Sequence, residues 1–204
     1  MIIIGLTGSI GMGKSTAAGM LASLGVPVHD SDAAVHRLIG PGGRAVPRIE
    51  KAFPGVVKDG AVDRKALGAQ VFGKPAALRR LEAILHPMVA EEKGKFLRLW
   101  SSRRKPMVVL DVPLLFETKG DRQCDATILV SAPPFIQAMR VLKRPGMTRE
   151  RLDQIRAEQM PEAEKKRRAD FIVPTGLGYR FTLMHLGEIV DFLSQFRGTH
   201  WPPR

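Results

Sequence analysis

The chain has 204 residues, 44% of them hydrophobic and 25% charged, enough for one α/β domain with a small insertion and a substantial core. Its net charge of +12 asks for an anionic partner, which means nucleic acid, an anionic membrane surface or a polyphosphate ligand. One cysteine, Cys124, excludes an internal disulfide or a cysteine-based metal cluster and reads as a small, semi-buried apolar residue; with no cationic leader and no apolar run long enough to span a bilayer, we expect a soluble, cytoplasmic protein.

Ile2, Ile3, Ile4 and Leu6 form an unalternated apolar run, the pattern of a strand covered on both faces of a parallel sheet. Gly8 to Thr16 follow directly and match the phosphate-loop pattern, with Gly8, Gly13, Lys14 and Ser15 in the required places. Glycines let such a loop curl so that its N–H groups converge on a phosphate, and the helix behind it adds the positive end of its dipole. Ala17, Met20, Leu21 and Leu24 share one face of that helix, and Gly25 stops it.

Val26 to Asp30 reads as a second strand, and Ser31 or Asp32 as the cap of a helix through Leu38. Glycine and proline then punctuate the chain as far as Gly60, around a short helix over Val46 to Phe53. Asp63 caps a helix to Phe72, and Pro75 opens another that reaches Leu85. His86-Pro87 marks a break before a long helix from Met88 towards Trp100. Met107 to Asp111 and Ala126 to Val130 are strands, and Pro133-Pro134 opens a helix through Val141. The basic segment from Lys143 to Arg156 has Thr148 as a helix cap. Pro161 opens a helix from Glu162 to Arg168, with pairs Glu162/Lys166 and Glu164/Arg168 at i, i+4. Phe171 to Val173 is the last strand and Tyr179 to Phe196 the last helix; Gly198 to Arg204 reads as a frayed tail. Strands alternating with helices imply an α/β fold, a doubly wound parallel sheet, with a helical insertion between about 40 and 105.

A phosphate loop supplies a donor site and leaves the acceptor open. Lys14 reaches the β- and γ-phosphates, and the Ser15 hydroxyl is placed to ligate Mg²⁺. Asp30 and Asp32 end the second strand, where open α/β sheets carry ligands; either is placed to hold an acceptor hydroxyl, with a strand-end hydrogen bond as the alternative for Asp30 and helix capping as that for Asp32. Asp111 ends an apolar strand, a position that suits Mg²⁺ or its waters. Glu117 reads as a turn residue in preference to a second site carboxylate. Arg140, Lys143, Arg144, Arg149, Arg151 and Arg156 read as a lid hinged at Pro145-Gly146, Arg140 and Arg144 foremost, with a solvated basic face as the alternative. The five histidines show no metal spacing; His86 stands out for the stiff backbone that Pro87 gives it.

Taken together, Leu6 to Thr16, Asp30-Ser31-Asp32 with His36, Leu85-His86-Pro87, Val112 to Glu117, and Arg140, Arg144, Thr148-Arg149 and Gln159 resemble the dephospho-coenzyme A kinase family. The resemblance implies a P-loop kinase that uses ATP and Mg²⁺ to phosphorylate the ribose 3′-hydroxyl of dephospho-coenzyme A, the final step of coenzyme A biosynthesis. It implies one kinase domain with a nucleotide-binding core (about 1–38, 106–139 and 169–196), a helical acceptor-binding insertion (about 40–105) and a lid (about 140–168). Carried onto this chain, Asp32 is the base that orients the 3′-hydroxyl, and Gly11, Met12, Gly13, Lys14, Ser15 and Thr16 hold the ATP phosphates. Ser15 and Asp111 attend the metal, Arg140 and Arg144 close from the lid, and His86 lies in the acceptor-binding part. Ser31 departs from the family's alanine, and Thr175 from an asparagine after the last strand. The two polyphosphate substrates account for the positive charge. Other readings are a different small-metabolite or nucleoside monophosphate kinase, and a nucleotide switch or nucleic-acid-binding ATPase. Aromatics at 6% of residues speak against the last, so no nucleic-acid partner is expected.

Overall fold

The computed structural model describes residues 1–202. In chain order the elements are β1 (Ile2–Thr7), α1 (Lys14–Ser23), β2 (Val28–Asp30), α2 (Ser31–Ile39), α3 (Val46–Ala52), β3 (Val57–Lys58), β4 (Ala61–Val62), α4 (Arg64–Val71) and α5 (Pro75–Ser102). They continue with β5 (Met107–Asp111), a 3₁₀ turn at Gly120–Gln123, β6 (Ala126–Ser131), α6 (Pro134–Leu142), α7 (Arg149–Glu158), α8 (Glu162–Arg168), β7 (Phe171–Pro174) and α9 (Tyr179–Leu193). The chain folds as two compact units, one formed by Met1–His29 with the chain from Leu99 onward, the other by Asp30–Arg98.

The first unit is built on a parallel sheet in the order β2-β5-β1-β6-β7. All of β1 is buried, as its unalternated apolar run requires. Ile2, Ile4 and Leu6 pack on one face with Met20 and Leu21 of α1, Val109, Ile128 and Leu186 of α9. Leu6 lies opposite Asp111 in the β1–β5 register, so the carboxylate ending β5 is carried beside the residues that open the phosphate loop. Gly25 takes a positive φ behind α1, the stop read from its position.

In the second unit the capping residue of α2 is Asp30, whose carboxylate accepts from the Ala33 N–H at 2.9 Å, and neither Ser31 nor Asp32 fills that place. The expected break at His86-Pro87 is also corrected, because α5 runs straight through Pro87. Proline removes one donor from the helical ladder. Against that, Leu81, Ile84, Leu85, Met88 and Val89 keep one apolar stripe across the proline and pack on a cluster built from Leu38, Ile49, Phe53, Val56 and Leu67. Tertiary burial outweighs the local signal. The segment read as helical further contains an antiparallel hairpin, β3–β4, turned by Asp59 and Gly60, both at positive φ as a tight two-residue turn demands.

The C-terminal tail is tethered, contrary to the frayed end expected of it; its last two residues, Pro203 and Arg204, lie outside the described residues. Asp125 accepts from the Ile3 N–H (2.8 Å) through one oxygen, and from the Thr199 N–H (2.6 Å), Thr199 hydroxyl and His200 N–H through the other. Burial pushes this carboxyl up, but these donors and the nearby His200 ring outweigh it and hold it below its usual range. A depressed carboxyl stabilises the fold above its unfolded value and loses that contribution as pH falls through the folded one. Asp125→Asn is therefore expected to cost about 1–3 kcal/mol at neutral pH, with the gap to the parent protein closing in acid, read from urea unfolding at several pH values.

Candidate active site

The phosphate loop, Gly8–Gly13, joins the buried end of β1 to the start of α1. Gly11 and Gly13 have φ of 76° and 90°, a region that side chains with a Cβ rarely enter. A Cβ on Gly11 would also stand 2.5 Å from Val141 Cγ2 and 3.2 Å from the Gln137 carbonyl of α6. The first helical hydrogen bond of α1 runs from the Ala17 N–H to the Gly13 carbonyl, leaving the amides of Lys14, Ser15 and Thr16 to face forward from the helix end.

What shapes the loop is a set of side chains distant in sequence. Three consecutive carbonyls each accept from outside. Ile10 accepts from Gln137 Nε2 at 2.8 Å, Gly11 from Arg140 Nη1 at 3.4 Å, and Met12 from the Thr175 hydroxyl at 2.7 Å. In a trans peptide the N–H points opposite to the C=O. Turning these three carbonyls outward therefore turns the amides of Gly11, Met12 and Gly13 to the loop's inner side, where Met12 N–H reaches back to the Ser9 carbonyl. From the other flank Ile10 N–H donates to Gln159 Oε1 (3.2 Å) and the Ser9 hydroxyl to Glu162 Oε2 (3.1 Å). The loop is thus preorganised by protein groups for an anion.

Lys14, the first residue of α1, pairs with Asp111 at the end of β5, and both are largely withdrawn from solvent. Ser15 and Thr16 are exposed at the helix start. Arg140, half-buried on α6, donates to the Thr175 hydroxyl (3.0 Å) and Thr175 carbonyl (2.7 Å) besides Gly11. It is thus seated on the loop rather than held away from it. Thr175, noted for departing from an asparagine, is a strut between the loop and the end of β7. Arg144 is exposed, just past the end of α6. Pro145-Gly146 does separate α6 from α7, with Gly146 at φ 73°, and Thr148 caps α7.

Asp32 stands in the first turn of α2, two residues beyond β2, and is exposed. Because Asp30 takes the capping role, the Asp32 carboxylate is not consumed by the helix. His86 is exposed in mid-α5 rather than at a break.

Glu117 is more than a turn residue. Its Oε1 pairs with the fully buried ammonium of Lys165 at 2.9 Å and accepts from the Met160 N–H at 3.0 Å. Burial pushes this carboxyl up, and the hydrogen bonds from Lys165 and from the Glu117 and Met160 amides, with the Lys165 charge, outweigh that and leave it below its ordinary value. On α8 the expected pairs Glu162/Lys166 and Glu164/Arg168 are not among the ion pairs of the described residues; Arg168 meets Asp121 instead, at 2.8 Å.

A five-stranded parallel sheet, a glycine loop entering a helix, and a lysine paired with a strand-end carboxylate define a P-loop kinase fold built to hold nucleotide phosphates. Residues 2–176 match the model of the family described as dephospho-CoA kinase, and the chain belongs to that family. A dephospho-CoA kinase of Paramagnetospirillum magneticum is 63% identical over 166 residues, 81% of this chain and 78% of its own. That of Mesorhizobium japonicum is 53% identical over 199 residues, 98% of this chain and 100% of its own. Among solved structures, TT1252 from Thermus thermophilus superposes with a TM-score of 0.80 at 37% identity, covering 97% of this chain and 98% of its own.

Proposed function

We propose a division of labour among this chain's residues in its reaction, the ATP-dependent phosphorylation of dephospho-CoA to CoA. Gly11 to Thr16 hold the ATP phosphates, Lys14 neutralises charge on the transferring group, and Asp32 orients the ribose 3′-hydroxyl and takes its proton. The single observation carrying this reading is the loop whose three outward-held carbonyls turn the Gly11 and Gly13 amides to its inner side, ahead of the open start of α1 and Lys14. Asp32 is supported by its position after β2 and by a carboxylate free of capping duty. A weakly basic carboxylate suffices, because phosphoryl transfer has a loose transition state and the base chiefly aligns the oxygen.

Ser15 and Asp111 offer hard oxygen donors of the kind Mg²⁺ prefers, and the β1–β5 register that sets Asp111 beside Leu6 fits that role. When bound with ATP, the ion supplies charge neutralisation across the phosphates. Arg140 and Arg144 serve the donor side, His86 the acceptor side, with residues 40–105 as acceptor-binding part and 140–168 as lid. We place the reaction in the cytoplasm without nucleic-acid partners; no helix among the described residues is long and apolar enough to cross a membrane.

The test is a coupled ADP-release assay across dephospho-CoA, nucleoside monophosphates and small sugars. Turnover is expected with dephospho-CoA alone, and activity on another acceptor with silence on this one would sink the reading. Lys14→Ala is expected to lower kcat/KM for ATP roughly 10²–10³-fold whatever the acceptor, as loss of one preorganised charge contact does.

A further inference from the structure

Gln137 is buried on α6, with both ends of its side-chain amide engaged. Its Nε2 donates to the Ile10 carbonyl at 2.8 Å. Its Oε1 accepts twice from Arg156 of α7, from Nε at 3.0 Å and Nη2 at 2.7 Å. A side-chain amide has one accepting and one donating end. A guanidinium donates only, so Arg156 forces the oxygen towards itself and thereby aims the NH₂ at the loop. The Ile10 carbonyl belongs to the peptide whose other end is the Gly11 N–H, so fixing one fixes the other.

The preceding peptide is held from the same segment of chain. Ile10 N–H donates to Gln159, and the Ser9 hydroxyl to Glu162. Arg156, Gln159 and Glu162 span seven residues across the end of α7 and the start of α8. Gln159 and Glu162 reach the loop directly, and Arg156 through Gln137, around a cavity of about 590 Å³ that Ser9, Met12, Gln137, Arg156, Gln159 and Glu162 help to line. The attachment to Ser9 and Ile10 is therefore made by directional hydrogen bonds beside a cavity.

We propose that Gln137 is a positioning residue for the phosphate loop, and that Arg156, acting through it, ties the loop's anion-binding face to the seating of residues 156–162. The proposal rests on the reading of Gly11 to Thr16 as the ATP phosphate site. Gln137 touches no substrate in this scheme; it holds the peptide that does. Seating the 156–162 segment and shaping the donor site become one event, which couples closure over the reactants to competence of the loop.

The near-isosteric, neutral Gln137→Met removes both contacts. It is expected to raise KM for ATP about tenfold while KM for dephospho-CoA stays within twofold. Arg156→Met, at a less buried position, is expected to raise KM for ATP by a smaller factor in the parent background and to add nothing in the Gln137→Met background. A multiplicative double variant, or equal rises in both KM values, would overturn the proposal. Should Gln137→Met not fold, Gln137→Glu keeps the acceptor for Arg156 and reverses the polarity facing Ile10. It is expected to weaken ADP binding at 50 and 300 mM salt alike, whereas a loss confined to low salt would mean mere charge repulsion and defeat the idea. Lys14→Ala measured alongside separates the two levels. If it weakens nucleotide binding and the Gln137 variants do not, this inference alone fails; if none does, the donor-site reading itself fails.

Discussion

Replacing Asp32 by asparagine is expected to lower kcat for phosphorylation of dephospho-CoA by about 10²–10⁴-fold while leaving the affinity for ATP within about twofold. Asparagine keeps the size and one oxygen of the side chain but neither accepts the hydroxyl proton nor carries the charge that aligns the nucleophile. The variant is structurally mild. Asp32 is exposed, and the cap of α2 is Asp30, so the substitution removes no helix-capping bond. Its melting temperature should accordingly match the parent's within about 1 °C. Asp30→Asn serves as the control, since asparagine also caps well and should leave turnover nearly unchanged. Single-turnover phosphoryl transfer and ADP binding by calorimetry supply the two readings. Near-parental turnover in Asp32→Asn would remove Asp32 from the chemistry, and a comparable loss in Asp30→Asn would move the role to that residue.

That control turns on something the sequence leaves open, since Asp30, Ser31 and Asp32 are all competent caps and the choice depends on where β2 ends. Local patterns were legible where the physics is local. An unalternated Ile run followed by glycines and Lys14 identifies β1, the loop and α1, because strand burial, positive φ and the helix start act within one segment. The Asp59-Gly60 turn carried a hairpin signal of the same local kind, yet its strands are only two residues long and too short to show alternation. Pro87 misled because its cost is local whereas the stripe from Leu81 to Val89 that overrides it is recognisable only against the cluster it covers. The shaping of the loop was illegible throughout. Gln137 and Thr175 reach it from 127 and 163 residues away, and nothing near either marks an amide or a hydroxyl as a strut. The tail failed for the same reason, its anchor Asp125 lying 74 residues before Thr199.

Glu117 and Lys165, 48 positions apart in the sequence, form the pair whose disruption should cost the fold most. The Lys165 side chain is 0% exposed and the Glu117 carboxylate stands 2.9 Å from its ammonium as counter-charge. Glu117→Gln preserves shape and an acceptor for the Met160 N–H but leaves an ammonium uncompensated in the interior. Breaking one partner of such a pair costs about 3–5 kcal/mol, a large share of the 5–15 kcal/mol typical of a domain. In urea unfolding the midpoint should fall with an unchanged m-value, and the melting temperature should drop on the order of 10 °C. The double variant Glu117→Gln/Lys165→Met should recover most of the loss, because an apolar chain of similar length removes the buried charge. The pH dependence has a defined sign. The Glu117 carboxyl is held below its ordinary value of 4.5, so its contribution is complete above that value and lost as pH falls through the depressed folded one. Parent and Glu117→Gln should thus differ most at neutral pH and converge in acid. Because Glu117 holds the Met160 amide, next to Gln159 and two residues before Glu162, its loss should also raise KM for ATP more than KM for dephospho-CoA. A loss below about 1 kcal/mol at neutral pH, or a gap that persists undiminished in acid, would show that Lys165 finds its compensation elsewhere.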